Sequence, residues 1–240
     1  MTKLLAIDTS TERMSIALAL GARVWMHEAA GGALASASLI PDIMALLAGA
    51  DIGLAQLDAI AFGRGPGAFT GLRTACAVAQ GLAFGAGLPV LPIDTLWAVA
   101  EDARAGRPAV RLWAAMDARM DQIYAAEYAF GQGHWTLLRE PMLVDLPVLN
   151  ALWADDPPQE IAGNAMDSFR GRLDTGSAQL ATLAMPRAPA MLALARLQLA
   201  AGGAVAATHA LPIYLRDKVA QTSAERAALH DGALVGKPVG

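Results

Sequence analysis

One short pattern occurs twice in this chain and limits the folds that it can form. It consists of an apolar strand, an aspartate, a polar turn and a second strand. The first copy covers residues 4–20 with its turn at Asp8, and the second covers residues 111–130 with its turn at Asp117. Short apolar runs bounded by turn residues are typical of buried strands. Weak repeats also arise by chance, but these two copies predict two similar α/β halves.

The first half predicts alternating strands and helices. Leu39, Ile43 and Leu47 recur at the spacing of a helix, and the other elements follow from similar patterns. The predicted elements are, in chain order, strands at 3–7, 14–20 and 24–28, a helix at 35–48, a strand at 57–62, a glycine-rich loop, a helix at 70–84, a strand at 89–93 and a helix at 95–105.

Gly106-Arg107-Pro108 resembles a domain boundary, because the opening pattern returns directly after it. We therefore predict an N-terminal lobe at 1–105 and a C-terminal lobe at 106–215. The rest of the chain is predicted to alternate loop and helix, with a helix at 188–200 and a short strand at 211–215. A C-terminal helix at 216–230 is expected to complete the first lobe, and residues 231–240 to form a frayed tail.

The strongest local signal is the segment Gly63-Arg64-Gly65-Pro66-Gly67-Ala68-Phe69-Thr70-Gly71-Leu72-Arg73, which follows a strand and opens a helix. Backbone amides at a helix start attract anions, and glycine lets a phosphate approach closely. Thr70 is the predicted N-cap. The segment is neither a Walker loop nor a dinucleotide fingerprint, because its residues and spacing differ from both. A tight turn with a cap and no ligand is the alternative.

The turn at Asp8, with its two hydroxyl neighbours, is a second candidate for phosphate contact. An acid in such a turn orients water or a metal in folds that hold a nucleotide between two halves. Asp117 and Arg119 form the mirror candidate, whose role is left open. Both turns could equally be ordinary Asx turns. The candidates to lie near a nucleotide or phosphate are Asp8, Thr9, Ser10, Arg64, Gly65, Gly67 and Thr70.

The first two predicted helices, 35–48 and 70–84, are poor in charge, which favours a protein interface. Charged residues make up only 17% of the chain, against about 25% in typical soluble domains. A helix that is apolar nearly all round is buried on both sides, either in the core or against a partner. The residues assigned to a partner interface are Ile40, Ile43, Met44, Leu47, Leu72, Arg73, Cys76, Ala79, Gln80 and Ala83.

Other compositional features exclude several classes of function. The net charge is −4 and the 18 basic residues are scattered, so we expect no strong nucleic-acid binding by this chain alone. The single cysteine excludes an internal disulfide and a cysteine-built metal site. The four histidines lack metal-ligand spacing along a helix. Because no signal peptide or membrane-spanning stretch is visible, we expect a cytoplasmic protein with no membrane association.

Several motifs together resemble one family. They are the opening segment at 4–11, the segment Gly65–Arg73, the turn at 117–119 with Ile123-Tyr124, and the segment Pro212–Arg216. These motifs identify the chain as similar to the TsaB (YeaZ) family. The match runs in order along nearly the whole chain, and GPGAFTGLR is its most specific part.

The resemblance implies the duplicated actin/Hsp70/sugar-kinase-like (ASKHA) fold with two RNase H-like lobes. It also implies a non-catalytic scaffold or activator in synthesis of N6-threonylcarbamoyladenosine at position 37 of tRNA. The expected partners are the catalytic paralogue TsaD, through the first two helices, and the ATPase TsaE. We expect a homodimer when the chain is alone, tRNA only through the complex, and no cofactor on this chain alone, with ATP or ADP and metal on the partner.

One sequence difference from the catalytic paralogue leads us to expect a supporting role for this chain. The paralogue has two histidines, four apart, that hold its metal, whereas the matching stretch here, Pro92–Val99, has none. We therefore expect no catalytic residue and no metal on this chain. The alternatives are a stand-alone small ATPase or kinase of the same fold, with Asp8 as its acid, and a glycopeptidase, which would need a metal or nucleophile that the sequence does not offer.

Overall fold

The computed structural model describes residues 1–32 and 35–216 of this chain. Its strands are β1 (Lys3–Asp8), β2 (Arg13–Leu20), β3 (Arg23–Ala30), β4 (Ala59–Gly65), β5 (Val90–Asp94), β6 (Val110–Asp117), β7 (Gln122–Gly131), β8 (His134–Asp145), β9 (Glu160–Ala162) and β10 (Gln179–Ala181). Its α-helices are α1 (Ala35–Gly49), α2 (Phe69–Ala86), α3 (Thr95–Arg104), α4 (Leu146–Asp155), α5 (Ala165–Ser168) and α6 (Ala188–Ala200).

The strands form two five-stranded sheets with the same topology. The first sheet has the order β3-β2-β1-β4-β5, and the second has the order β8-β7-β6-β9-β10. In each sheet the first three strands form an antiparallel meander, and the last two run parallel to the first. The predicted duplication is therefore confirmed, and the fold is the duplicated ASKHA fold with two RNase H-like lobes.

The two sheets and their helices form layers with buried apolar faces on both sides. In β1, Leu5 and Ile7 face the layer of α1 and α2, while Leu4 and Ala6 face α6. This explains why β1 is a continuous apolar run, since a strand covered on both faces cannot alternate with polar residues. In the second lobe α3 covers one face of the sheet, and α4 and α5 cover the other.

The position of α6 differs from the expected lobe assignment. The predicted second lobe, 106–215, includes residues 188–200. In the structure, Met191 and Ala195 of α6 pack against Ala6 and Ala17 of the first sheet. The helix that covers this face of the first sheet thus lies at 188–200, and the predicted helix at 216–230 falls outside the described residues.

Two further expectations about the second half are wrong. Residues 134–145 were expected to alternate loop and helix, but they form the twelve-residue strand β8. The predicted strand at 211–215 is absent from the described residues, where the segment makes one backbone bond, from Ile213 N–H to the Arg64 carbonyl at 2.7 Å. Pro212 has no N–H to donate, which limits any ladder there.

Candidate functional site: the interlobe cleft and the α1–α2 face

The turn after β1 is buried against the glycine-rich segment. The backbone N–H and the hydroxyl of Ser10 donate to Oδ1 of Asp8, at 2.9 and 2.8 Å. The Thr9 hydroxyl donates to the Gly71 carbonyl at 2.6 Å. Asp8, Thr9 and Ser10 are at most 2% exposed. The three predicted residues are thus brought together as a packed turn, and their polar atoms are directed largely into the protein.

Glycines of the segment are required by this close packing. A Cβ at Gly63 would lie 1.9 Å from Oδ2 of Asp8, and a Cβ at Gly71 would lie 1.8 Å from the Thr9 carbonyl oxygen. A Cβ at Gly67 would lie 2.8 Å from the Ser10 backbone oxygen. Real Cβ contacts are longer than these distances, so the glycines serve the contact between hairpin and loop. This supports the alternative reading of the motif as a packed turn.

Other predicted residues of the segment also have structural partners. Arg64 forms an ion pair with Asp94 at the end of β5. Gly65 has a φ of +120° and lies against the Ile213 carbonyl, where a Cβ would be only 2.6 Å away. The prediction of Thr70 as N-cap is wrong, because α2 begins one residue earlier, at Phe69, and its N-cap is Ala68. The extended backbone at Ala68 caps the helix without a side-chain bond.

Asp8 is the most perturbed acid of this region. Burial raises the pKa of Asp8 from 3.8 to about 6, and the hydrogen bonds from Ser10 only partly oppose the shift. Within the described chain, Oδ2 of Asp8 has no hydrogen-bond partner. Among the described residues, the carboxylate therefore lacks a cationic side-chain partner that would stabilise its charged form.

This shift gives a prediction about stability. Between about pH 4 and 6 the folded state keeps a proton on Asp8 that the unfolded chain has released. The stabilisation of the folded state by this protonated carboxyl is therefore complete below pH 4 and is lost as the pH rises through 6. At pH 7.5 the free energy of unfolding is lower by about 3 kcal/mol than it is with Asp8 protonated in both states. The free energy of unfolding of Asp8→Asn, measured with urea and expressed relative to wild type, should therefore rise by about 3 kcal/mol between pH 4 and 7.5. Asp155→Asn, at an exposed position, controls for the charge change, and an Asp8→Asn difference equal at both pH values would contradict the prediction.

The mirror turn of the second lobe has the same local geometry but a more open position. The Arg119 N–H donates to Oδ1 of Asp117 at 2.7 Å, as Ser10 does to Asp8. Asn164 accepts the Asp117 N–H at 3.0 Å. The Arg119 side chain reaches across to Glu12 of the first lobe, where the two form an exposed ion pair. Both turns are thus Asx turns, and they approach each other from opposite lobes.

A cleft of about 820 Å³ lies between the two turns. Three arginines line it, and each has a carboxylate partner: Arg13 with Glu28, Arg119 with Glu12, and Arg187 with Asp102. The lining carboxylates are Glu12, Glu28 and Asp117, so the charges on the cleft surface balance. Phosphate sites in proteins use cations and amides that are free to bind the anion. The cleft arginines are already engaged.

Six of the ten residues assigned to a partner interface are buried in the core of the chain itself. They are Ile43, Leu47, Leu72, Cys76, Ala79 and Ala83, each at most 7% exposed. That part of the assignment is wrong, because these side chains are buried within the chain, and all except Leu72 belong to the apolar core between the first sheet and its helices. The helices α1 and α2 are apolar on more than one side, so the sequence could not distinguish the inner face from the outer one.

The outer face of the same helices carries exposed apolar side chains. On α1, Ile40 and Met44 are 46% and 48% exposed. On α2, Phe84 is 73% exposed and follows the small exposed residues Ala77 and Gly81 at helical spacing. We call these five residues the docking face. Phe84 was absent from the predicted interface, although its i+3 and i+7 relation to Gly81 and Ala77 was available in the sequence.

The remaining predicted interface residues of α2, Arg73 and Gln80, contact the C-terminal strap, which we define as residues 207–216, and so does the buried Cys76. Gln80 Nε2 donates to the Ala207 carbonyl at 3.2 Å, and the Cys76 thiol lies 2.9 Å from the Ala210 carbonyl. Arg73 Nε donates to the Tyr214 hydroxyl at 3.1 Å. The strap therefore covers α2 at Arg73, Cys76 and Gln80, and Phe84 follows Gln80 one helical turn later.

Two other features, a metal site and a membrane-spanning helix, were also sought among the described residues. In residues 1–32 and 35–216, no three His, Cys, Asp or Glu side chains converge as metal ligands would. Across the same ranges, every helix is too short or too polar to cross a bilayer.

The sequence and structure were compared with known proteins. Residues 32–145 match the family model "TsaD: tRNA N6-adenosine threonylcarbamoyltransferase". The chain is 38% identical to the tRNA threonylcarbamoyladenosine biosynthesis protein TsaB of Haemophilus influenzae, over 90% of this chain and 94% of that protein. It is 33% identical to the Escherichia coli protein of the same name, over 91% and 96% of the two chains.

A solved structure of YeaZ from Pseudomonas aeruginosa superposes with a TM-score of 0.78 at 36% identity, and covers 90% of this chain and 100% of that one. The chain thus shares more than 30% identity with both curated relatives over at least 90% of each chain. The chain belongs to the TsaB (YeaZ) family.

Proposed function

We propose that this chain is a non-catalytic scaffold subunit that docks the catalytic threonylcarbamoyltransferase TsaD. Its family membership supports a role in tRNA threonylcarbamoyladenosine biosynthesis. The observation that carries the proposal is the docking face, where Ile40, Met44 and Phe84 expose large apolar side chains on adjacent helices. Apolar side chains grouped at a surface mark interaction sites, and the small residues Ala77 and Gly81 let another helix approach closely.

The chemistry of the cleft supports a scaffold over an independent enzyme. Asp8 is buried beneath its own turn, and the arginines that line the cleft are held by carboxylates. At the stretch where the resemblance places the partner's metal histidines, this chain has Asp94, paired with Arg64, and an α3 that begins with Thr95. We therefore propose that nucleotide and metal bind the partner and that TsaE acts on the assembled pair.

Reconstitution of the modification reaction tests this proposal. The chain and TsaD from the same organism are co-purified, and threonylcarbamoylation of tRNA is measured with and without each protein in the presence of the other pathway enzymes. We expect a stable complex, a modification rate that falls at least tenfold without this chain, and no activity of this chain alone. A chain that stays apart from TsaD but hydrolyses ATP by itself would support the stand-alone ATPase or kinase instead.

A further inference from the structure

A second, smaller groove lies where the C-terminal strap passes from the first lobe to the second. Its volume is about 250 Å³, and its walls include Phe69, Met120 and Tyr214. Ile213 fixes the strap to the first lobe through the Arg64 carbonyl. Arg216 fixes it to the second lobe by donating to the Ala118 and Arg119 carbonyls, at 3.0 and 3.3 Å. The groove is therefore built from both lobes and held open by defined contacts.

The charge around this groove differs from that of the rest of the described surface. Among residues 1–32 and 35–216, none of those that line the groove is an acid. Arg216 lines the groove, and Arg73 contacts the lining residues Phe69 and Tyr214. Among the described residues the two arginines have uncharged hydrogen-bond partners, namely main-chain carbonyls for Arg216 and a phenol hydroxyl for Arg73. Elsewhere most arginines are matched with carboxylates, as Arg107 is with Glu160. Of the groove's cations, Arg119 is paired with Glu12, whereas Arg216 and the adjoining Arg73 have no carboxylate partner among the described residues and can accept an anionic ligand.

Aromatic rings lie beside these cations. The Phe69 and Tyr214 rings are 5.3 Å apart, and the Arg73 guanidinium lies 3.9 Å from the centre of the Phe69 ring. Tyr214 is 41% exposed and can offer part of its ring to a ligand. Guanidinium groups that bind phosphates next to aromatic rings that stack on bases are the combination with which proteins hold single-stranded nucleic acid.

We infer that this groove contacts an unpaired nucleotide of the tRNA substrate, with Arg73 and Arg216 on its phosphates and Tyr214 against its base. The inference rests on the proposed function, which supplies an RNA substrate. The net charge of −4 means that this site adds to binding only within the complex, where the partner supplies further contacts. An acidic protein segment would suit the cations but would not use the aromatic rings in this way.

The reconstituted complex provides the test, with tRNA as the varied substrate. Arg216→Ala and Arg73→Ala should each raise the KM for tRNA about three- to tenfold with kcat unchanged, and should lower the salt dependence of tRNA binding by about one phosphate contact. Arg196→Ala is the matched control, because Arg196 also has an uncharged partner, the Gly21 carbonyl, but lies elsewhere. It should leave both quantities unchanged.

Two outcomes would overturn the inference. If both variants keep the wild-type KM and salt dependence while the complex remains active, the groove does not contact RNA. If they weaken assembly with the partner proteins and leave tRNA binding intact, the groove binds protein. A failure of the proposed function itself is distinguishable, because wild-type chain would then fail to stimulate modification at all.

Discussion

Replacing Gly71 with alanine is expected to destabilise the protein by about 3 kcal/mol or more. The new Cβ would lie 1.8 Å from the Thr9 carbonyl oxygen, and neither atom can move without displacing backbone. Overpacking of this kind typically costs about 1–3 kcal/mol and more when main chain must shift. For a chain of this size the melting temperature should fall by roughly 6–12 °C, which calorimetry or circular dichroism measures.

Gly81→Ala provides a control in the same helix. A Cβ at Gly81 meets no atom within 4 Å, so the change should stabilise α2 by about 0.5–1 kcal/mol, as alanine does over glycine in a helix. If Gly71→Ala lowers the stability and Gly81→Ala raises it, the effect of close packing at Gly71 is distinguished from that of helix propensity. Equal effects would show that the hairpin can move away from α2, and that the contact is looser than the structure has it.

Phe84→Glu should weaken binding of TsaD at least a hundredfold. Its side chain is 73% exposed on the proposed docking face, and a buried, unpaired carboxylate at an interface is strongly unfavourable. Surface plasmon resonance or calorimetry with purified TsaD measures the change. Because the ring lies largely in solvent in the free chain, the melting temperature should stay within about 2 °C of wild type.

Leu183→Glu is the matched control, because Leu183 is 80% exposed and lies at the cleft, away from α1 and α2. It should leave the affinity for TsaD unchanged. If Phe84→Glu binds as tightly as wild type, the docking face is not the interface. If Leu183→Glu is the variant that fails, the cleft side of the molecule carries the contact instead.

The architecture was largely predictable because it is repeated. The pattern of strand, aspartate and turn at Asp8 returns at Asp117, and both copies fold into the same meander with the same Asx turn. Topology follows from such patterns because burial of strand faces and the placement of turn residues are local properties. The glycines of the segment at 63–73 were also recognised as significant, although their role is contact with the hairpin.

The outward face of the helices was not predictable from the same information. Leu72 and Phe84 are both apolar residues of α2, yet one is buried and the other exposed. Which side of a helix faces the sheet depends on contacts that are distant in sequence, such as those of the strap with Cys76 and Gln80. The same reason explains α6, whose place in the chain suggested the wrong lobe.

The packing of α6 has a consequence for synthesis of the chain on the ribosome. The face of the first sheet that includes Leu4, Ala6 and Ala17 is covered by residues 188–200, which are translated long after β5 is complete. At elongation rates of about 5–20 residues per second this interval is on the order of 10 s. During that time an apolar sheet face is available to chaperones or to other nascent chains, so folding of the first lobe can finish only after residues 188–200 have been made.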